Sequence, residues 1–145
     1  MSSLAPYAYL IVIVLAWGVA HGIKYVISRV QQQEHTLLEK LFMSGGMPSS
    51  HSAVITGVTT LIGLKEGVDS ALFGLAVAVT LVVIYDAAHV RRMAGTTARS
   101  LYGLAELLKK KIEQHPVYNG HTIIEVAAGT ALGVVLALVV FFATQ

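Results

Sequence analysis

The sequence predicts an all-α integral membrane helical bundle of about four transmembrane helices, with an amphipathic interfacial helix over 96–114. Three observations lead there. The 145 residues are 55% hydrophobic and only 12% charged, with a mean hydropathy of +0.70, which suits a membrane protein rather than a soluble domain. The apolar residues gather into four segments separated by polar ones. When those segments are laid antiparallel, nearly all the ionisable side chains fall at one end of the bundle. The length suits one membrane-embedded domain over 1–145.

The first segment covers 5–30, with Lys24 and Arg29 in its last two turns. Gly18-Val19-Ala20 has the small-x-small pattern of a cleavage site, yet no Lys or Arg precedes Lys24, so the segment is read as a retained span. The second segment, 48–64, is shorter and rich in Thr and Gly, and is expected inside the bundle. Pro48 suits its first turn, where a missing N–H costs nothing. The third and fourth segments cover 70–90 and 121–143. At ~1.5 Å per residue, the first, third and fourth each reach across a ~30 Å hydrocarbon core. Between the last two lies "TTARSLYGLAELLKKKIEQ". Leu101, Leu104, Leu107, Leu108 and Ile112 share one stripe of that helix. Thr96 or Thr97 is its expected cap, Lys109 to Lys111 suit its C-terminal end, and the membrane surface is its expected place.

With antiparallel spans, Lys24, the stretch "GGMPSSHSA" (45–53), the stretch "YDAAHVRRMAG" (85–95) and His121 with Glu125 share one side. That side carries nine basic residues and the other only Lys65. Basic loops favour the cytoplasm, so these loops are expected to face it, in a prokaryotic cytoplasmic membrane. The net charge of +2 and the lack of an arginine-rich stripe argue against nucleic acid. With no cysteine, disulfides, thiolate chemistry and cysteine-ligated zinc are excluded.

Each polar motif has a bland reading beside a chemical one. "GGMPSSHSA" is either a capped helix after a glycine turn or an anion site. In the second case Gly45 and Gly46 allow close approach, while Ser49, Ser50 and His51 present N–H groups at a helix N-terminus. His121 and Glu125 are four apart and share a helical face. A carboxylate on one imidazole nitrogen fixes the tautomer and leaves the other nitrogen free to attack. Taken alone the pair also reads as an interfacial histidine with a solvated glutamate. However, an ionisable residue just inside an apolar span is costly and usually functional. Arg91 and Arg92 are a membrane-boundary signal or a guanidinium fork for phosphate oxygens. Asp86 could hold an arginine in place, or bind Mg²⁺, for which one carboxylate is a poor signal. Lys24 snorkels or joins the site. His89 reads as an interfacial side chain, and His35 and His115 carry no assignment.

Together, Lys24, "GGMPSSHSA", "YDAAHVRR" and "GHTIIEV" resemble, in that order, the divergent branch of the type 2 phosphatidic acid phosphatase and vanadium haloperoxidase superfamily. The resemblance implies a helical bundle and metal-independent hydrolysis of phosphate esters through a phosphohistidine, with no cofactor. It implies that His121 is the nucleophile, Glu125 its orienting carboxylate and His51 the general acid. It also implies that Lys24, Ser49 and Ser50 hold phosphate oxygens. Ser50 stands where glycine is usual, and His115 occupies the place of the arginine six before the nucleophile. Arg91 or Arg92 must then supply the missing guanidinium. The expected substrate is a phospholipid or isoprenoid phosphate, of phosphatidate or phosphatidylglycerophosphate type. Four short spans make a thin wall around a site, which suits a homodimer. The alternatives are a non-catalytic module binding anionic lipid head groups or a partner protein, and a small transporter or channel subunit. The nearly bare far side argues against the last.

Overall fold

The computed structural model describes residues 4–30, 46–112 and 120–145. His35, Lys40, Gly45, His115 and the last two residues of the expected 96–114 helix lie outside them. Among the described residues all regular structure is helical. After a 3₁₀ turn, Ala5–Tyr7, come α1 (Ala8–Val30), α2 (Ser50–Glu66) and α3 (Ala71–Tyr85). A π turn (Asp86–Val90) leads into α4 (Arg91–Leu107), and α5 (Ile123–Ala143) completes the order. Three helical stretches are long and apolar enough to cross a membrane: Ala5–Val30, Ala71–Leu107 and Ile123–Ala143.

The fourth, α2, has 17 residues, or ~25 Å, and is the centre of the bundle. It packs against α1, α3 and α5, most extensively against α5. Its hydroxyls therefore meet protein rather than lipid, as where Thr59 Oγ1 and Thr80 Oγ1 of α3 share a hydrogen bond of 2.7 Å. The contact with α5 is close because glycines line it. A Cβ on Gly129 would run into the Ser49 carbonyl, and one on Gly133 into the Ala53 carbonyl. Small residues at such spacing let helix backbones approach in lipid. On α1 the buried residues recur every fourth position, Ala8, Val12, Ala16, Ala20, Lys24 and Ser28, so Lys24 continues the stripe that packs the helix. Large apolar side chains such as Leu10, Leu75 and Val135 face outward, as lipid contact requires.

The chain directions follow from the end contacts. Tyr9 OH donates to Glu66 Oε1 at 2.9 Å and Lys65 Nζ to the Ala5 carbonyl at 3.1 Å, which ties the start of α1 to the end of α2. Ser49 N donates to the Glu125 carbonyl at 3.0 Å, so α2 and α5 run parallel. Ser70 caps α3, its Oγ accepting from Phe73 N at 3.1 Å, and α3 returns antiparallel. The end of α1, the starts of α2 and α5 and the end of α3 therefore meet, as the polar pattern predicts.

Local boundaries differ from the sequence reading in three places. Pro48 precedes the N-cap, Ser49, instead of opening the first turn. Helix α4 begins at Arg91, because the π turn carries α3 into it without a break. Thr96 is then an interior residue rather than a cap, its Oγ1 bonding back to the Arg92 carbonyl at 2.7 Å, as hydroxyls inside helices do. The same helix ends at Leu107. Lys109 turns left-handed (φ 52°), while Lys110 N donates to the Ala105 carbonyl and Lys109 N to that of Glu106, the paired bonds that close a helix C-terminus.

Candidate active site

The site begins with a capping arrangement. Thr122 precedes α5 and its Oγ1 accepts from Glu125 N at 3.3 Å, while Glu125 Oε2 accepts from Thr122 N at 3.0 Å. This reciprocal cap satisfies two helix-end donors, and its T-x-x-E signature was available in the sequence. The same carboxylate oxygen lies 3.1 Å from His121 Nδ1. A carboxylate accepts, so Nδ1 carries the proton and the Nε2 lone pair points away from Glu125. Glu125 thus fastens the helix start and the imidazole together.

His121, 3% exposed, stands two residues before the span that starts at Ile123. Burial holds its pKa below the usual histidine range. The Lys24 and His51 charges push the same way, while the Glu125 hydrogen bond and charge push against them. Burial prevails, and His121 is neutral near pH 7.

A cavity of about 230 Å³ is lined by His51, Val82, Val83, Asp86, Ala87, Arg91 and His121. It brings together residues from α2, the end of α3, the π turn and the approach to α5. Arg91 Nε donates to Asp86 Oδ2 at 2.6 Å. The charges of Arg91, Lys24 and Asp86 all act on His51, as does the imidazole of His21. Lys24, 9% exposed, is off the cavity wall, but its charge acts on Glu125 and His121. Two imidazoles, a guanidinium and a buried ammonium can hold an oxyanion, move a proton and present one nitrogen nucleophile.

The other sequence candidates sort by position. Arg92 is off the cavity wall, and a Cβ on Gly120 would meet its backbone N. Ser49 is fully buried and off the wall, its Oγ accepting from Ser52 N at 3.3 Å and Ser52 Oγ at 2.9 Å. Capping α2 is its visible task. Ser50 is also buried and off the wall. Gly46 needs its glycine for φ +80°, with no neighbour pressing on it; the tightest approaches of other backbone occur at Gly120, Gly129 and Gly133. His89 is exposed and stacks on Tyr85 at 4.6 Å. His21, whose Nδ1 lies 2.9 Å from the Trp17 carbonyl, was not singled out from sequence. Its spacing of three from Lys24 was the available signal.

Residues 7–136 match the family described as the Divergent PAP2 family. The chain is also similar to the uncharacterized membrane protein YuiD of Bacillus subtilis (strain 168), 30% identical over 145 aligned residues that cover 90% of this chain and 89% of the relative. No solved structure matches it.

Proposed function

The chain belongs to the Divergent PAP2 family, and from that premise we propose that it is a membrane lipid phosphate phosphatase. It hydrolyses a phosphomonoester of phosphatidate or phosphatidylglycerophosphate type through a phosphohistidine. The observation that carries this reading is the Glu125–His121 pair, which directs a free imidazole nitrogen away from the carboxylate at the wall of a cavity shared with His51 and Arg91.

His121 Nε2 attacks phosphorus, and the bond from phosphorus to the ester oxygen breaks. The leaving oxygen takes a proton from His51 in its imidazolium form, which the negative charge of the bound ester favours against burial and the Arg91 and Lys24 charges, releasing the alcohol. Arg91 holds the equatorial oxygens as charge builds, and the nearby Lys24 charge favours that build-up. Neutral His51 then takes a proton from water, whose oxygen attacks phosphorus. The N–P bond breaks, its electron pair returns to Nε2, and inorganic phosphate departs. The basic residues around the site favour a cytoplasmic mouth.

Purified protein in EDTA is expected to release phosphate from phosphatidate or phosphatidylglycerophosphate. His51→Ala is expected to slow this ~10²–10⁴-fold, the usual contribution of general acid catalysis. In the phosphorylation step, followed in a single turnover, a nitrophenyl phosphate, whose leaving group needs little protonation, should lose far less. Equal losses in that step on both substrates would remove His51 as the general acid. The common hydrolysis step, in which His51 is the base, should slow alike for both. No turnover of any lipid phosphate would favour a head-group-binding module instead.

The acid side of the pH profile provides a second check. Because burial lowers the His121 pKa, its proton binds only below the ordinary histidine value of ~6.5. The free nucleophile is therefore kept as pH falls through that value and lost only lower. The acid limb of single-turnover phosphorylation should lie below pH ~6.5, and a limb above it contradicts the assignment.

A further inference from the structure

The π turn joins two parts of the site that the chain keeps thirty residues apart in sequence. In an α-helix, residues five apart point ~140° away from each other. In a turn closed by i→i+5 hydrogen bonds they stack on one face. Asp86 and Arg91 are such a pair. Arg91 N donates to the Asp86 carbonyl, and Arg91 Nε donates to Asp86 Oδ2 at 2.6 Å, so backbone and side chain are both tied to one residue. With Nε engaged, four guanidinium N–H groups remain on a side chain at the cavity wall. The two side chains are 37% and 45% exposed, and a pair so open to solvent adds little stability. Its consequence is the direction of the fork.

The same turn seats the histidine. The Ala87 carbonyl accepts from His121 N at 3.1 Å, and Ala87 and Ala88 pack with Val126 at the start of α5. Gly120 has φ +64°, and a Cβ there would lie 2.6 Å from Arg92 N and 2.9 Å from the Arg91 carbonyl carbon. Only a glycine brings the chain this close to the junction of the π turn and α4.

We propose that the π turn Asp86–Val90 is the positioning element of the site, with Asp86 the positioning residue that aims the Arg91 fork at an oxyanion whose other side faces His121. This rests on the proposed phosphatase reading, but it concerns oxyanion binding and is testable without turnover.

The probe is vanadate, with affinity measured on the purified full-length protein for wild type, Asp86→Asn, Arg91→Ala and the double variant. Asp86→Asn is expected to weaken binding about tenfold, as the loss of a charge-assisted hydrogen bond does, and Arg91→Ala by at least as much. The double variant should bind no more weakly than Arg91→Ala, because Asp86 acts only through Arg91. A merely structural role would instead multiply the two losses. Unchanged affinity in Asp86→Asn, multiplied losses, or no vanadate binding by wild type would each overturn the inference. If Asp86→Asn does not fold, Arg91→Lys serves, keeping the charge but losing the fork. It should bind vanadate about as weakly as Arg91→Ala, and wild-type affinity there overturns the inference. A wild type that binds vanadate with this coupling yet hydrolyses no lipid phosphate defeats the phosphatase reading alone.

Discussion

His121→Ala is expected to reduce phosphate release from lipid phosphate esters by ~10⁴-fold or more, the scale on which removing a covalent nucleophile acts. The argument is local. Glu125 Oε2 accepts a hydrogen bond from Nδ1–H at 3.1 Å, so the opposite nitrogen holds the lone pair, and burial keeps it unprotonated near neutral pH. No other nitrogen on the cavity wall has that combination, because a guanidinium offers no nucleophilic lone pair and His51 makes no hydrogen bond to a carboxylate among the described residues. Turnover alone would not separate a lost nucleophile from a damaged pocket, so the phosphoenzyme is the better readout. Wild type quenched during turnover of a lipid labelled in its phosphate should carry acid-labile, base-stable label, and His121→Ala should carry none. The affinity for inorganic phosphate, which stays tetrahedral and forms no bond to the imidazole, should stay within a few-fold of wild type, since Lys24 and Arg91 remain. Label persisting in His121→Ala, or an acid-stable label in wild type, ends the phosphohistidine proposal.

Gly133→Leu is expected to produce the largest loss of stability. A Cβ at this position already runs into the Ala53 carbonyl and would lie 2.9 Å from Gly57 N. These are backbone atoms of α2, which cannot rotate aside as a side chain can. Gly57 faces back at Gly133, its own Cβ position 3.3 Å from the Gly133 carbonyl and 3.2 Å from Val12 Cγ2. A leucine must therefore push α5 from α2 and disturb α1 as well. Overpacking costs roughly 1–3 kcal/mol, occasionally more, and a displaced helix also loses small-residue packing in lipid. We expect about 3 kcal/mol or more, read as loss of folded protein in a denaturant titration in detergent micelles. Gly74→Ala is the control. Nothing lies within 4 Å of its Cβ position, and an added methyl in a helix should be neutral or favourable by up to ~1 kcal/mol. Wild-type stability in Gly133→Leu would mean that the α2–α5 contact is not close.

Both predictions concern residues whose importance was unequally legible. His121 and Glu125 stand out in the chain because a polar pair at a spacing of four interrupts an apolar run. Gly133 sits in "AAGTALGVV", where a glycine spaced four from another suggests a packing face without naming the helix it meets. The same difference separates Arg91 from Arg92. They are neighbours of one type, and which of them faces the cavity depends on the angular register of the turn before them. A single extra residue in that turn decides it.

The membrane setting, the helical class, the gathering of polar residues at one end and the pairing of His121 with Glu125 are legible along the chain. All of these follow from hydropathy and from spacing along one helix, which are short-range properties. Only the folded arrangement shows that α2 lies at the centre, that α3 runs into α4 through a π turn, that Ser49 caps α2, and that His21 acts on His51. Those outcomes depend on which backbone approaches which, and hydrogen bonds between distant segments, such as His121 N to the Ala87 carbonyl, leave no periodicity in the chain.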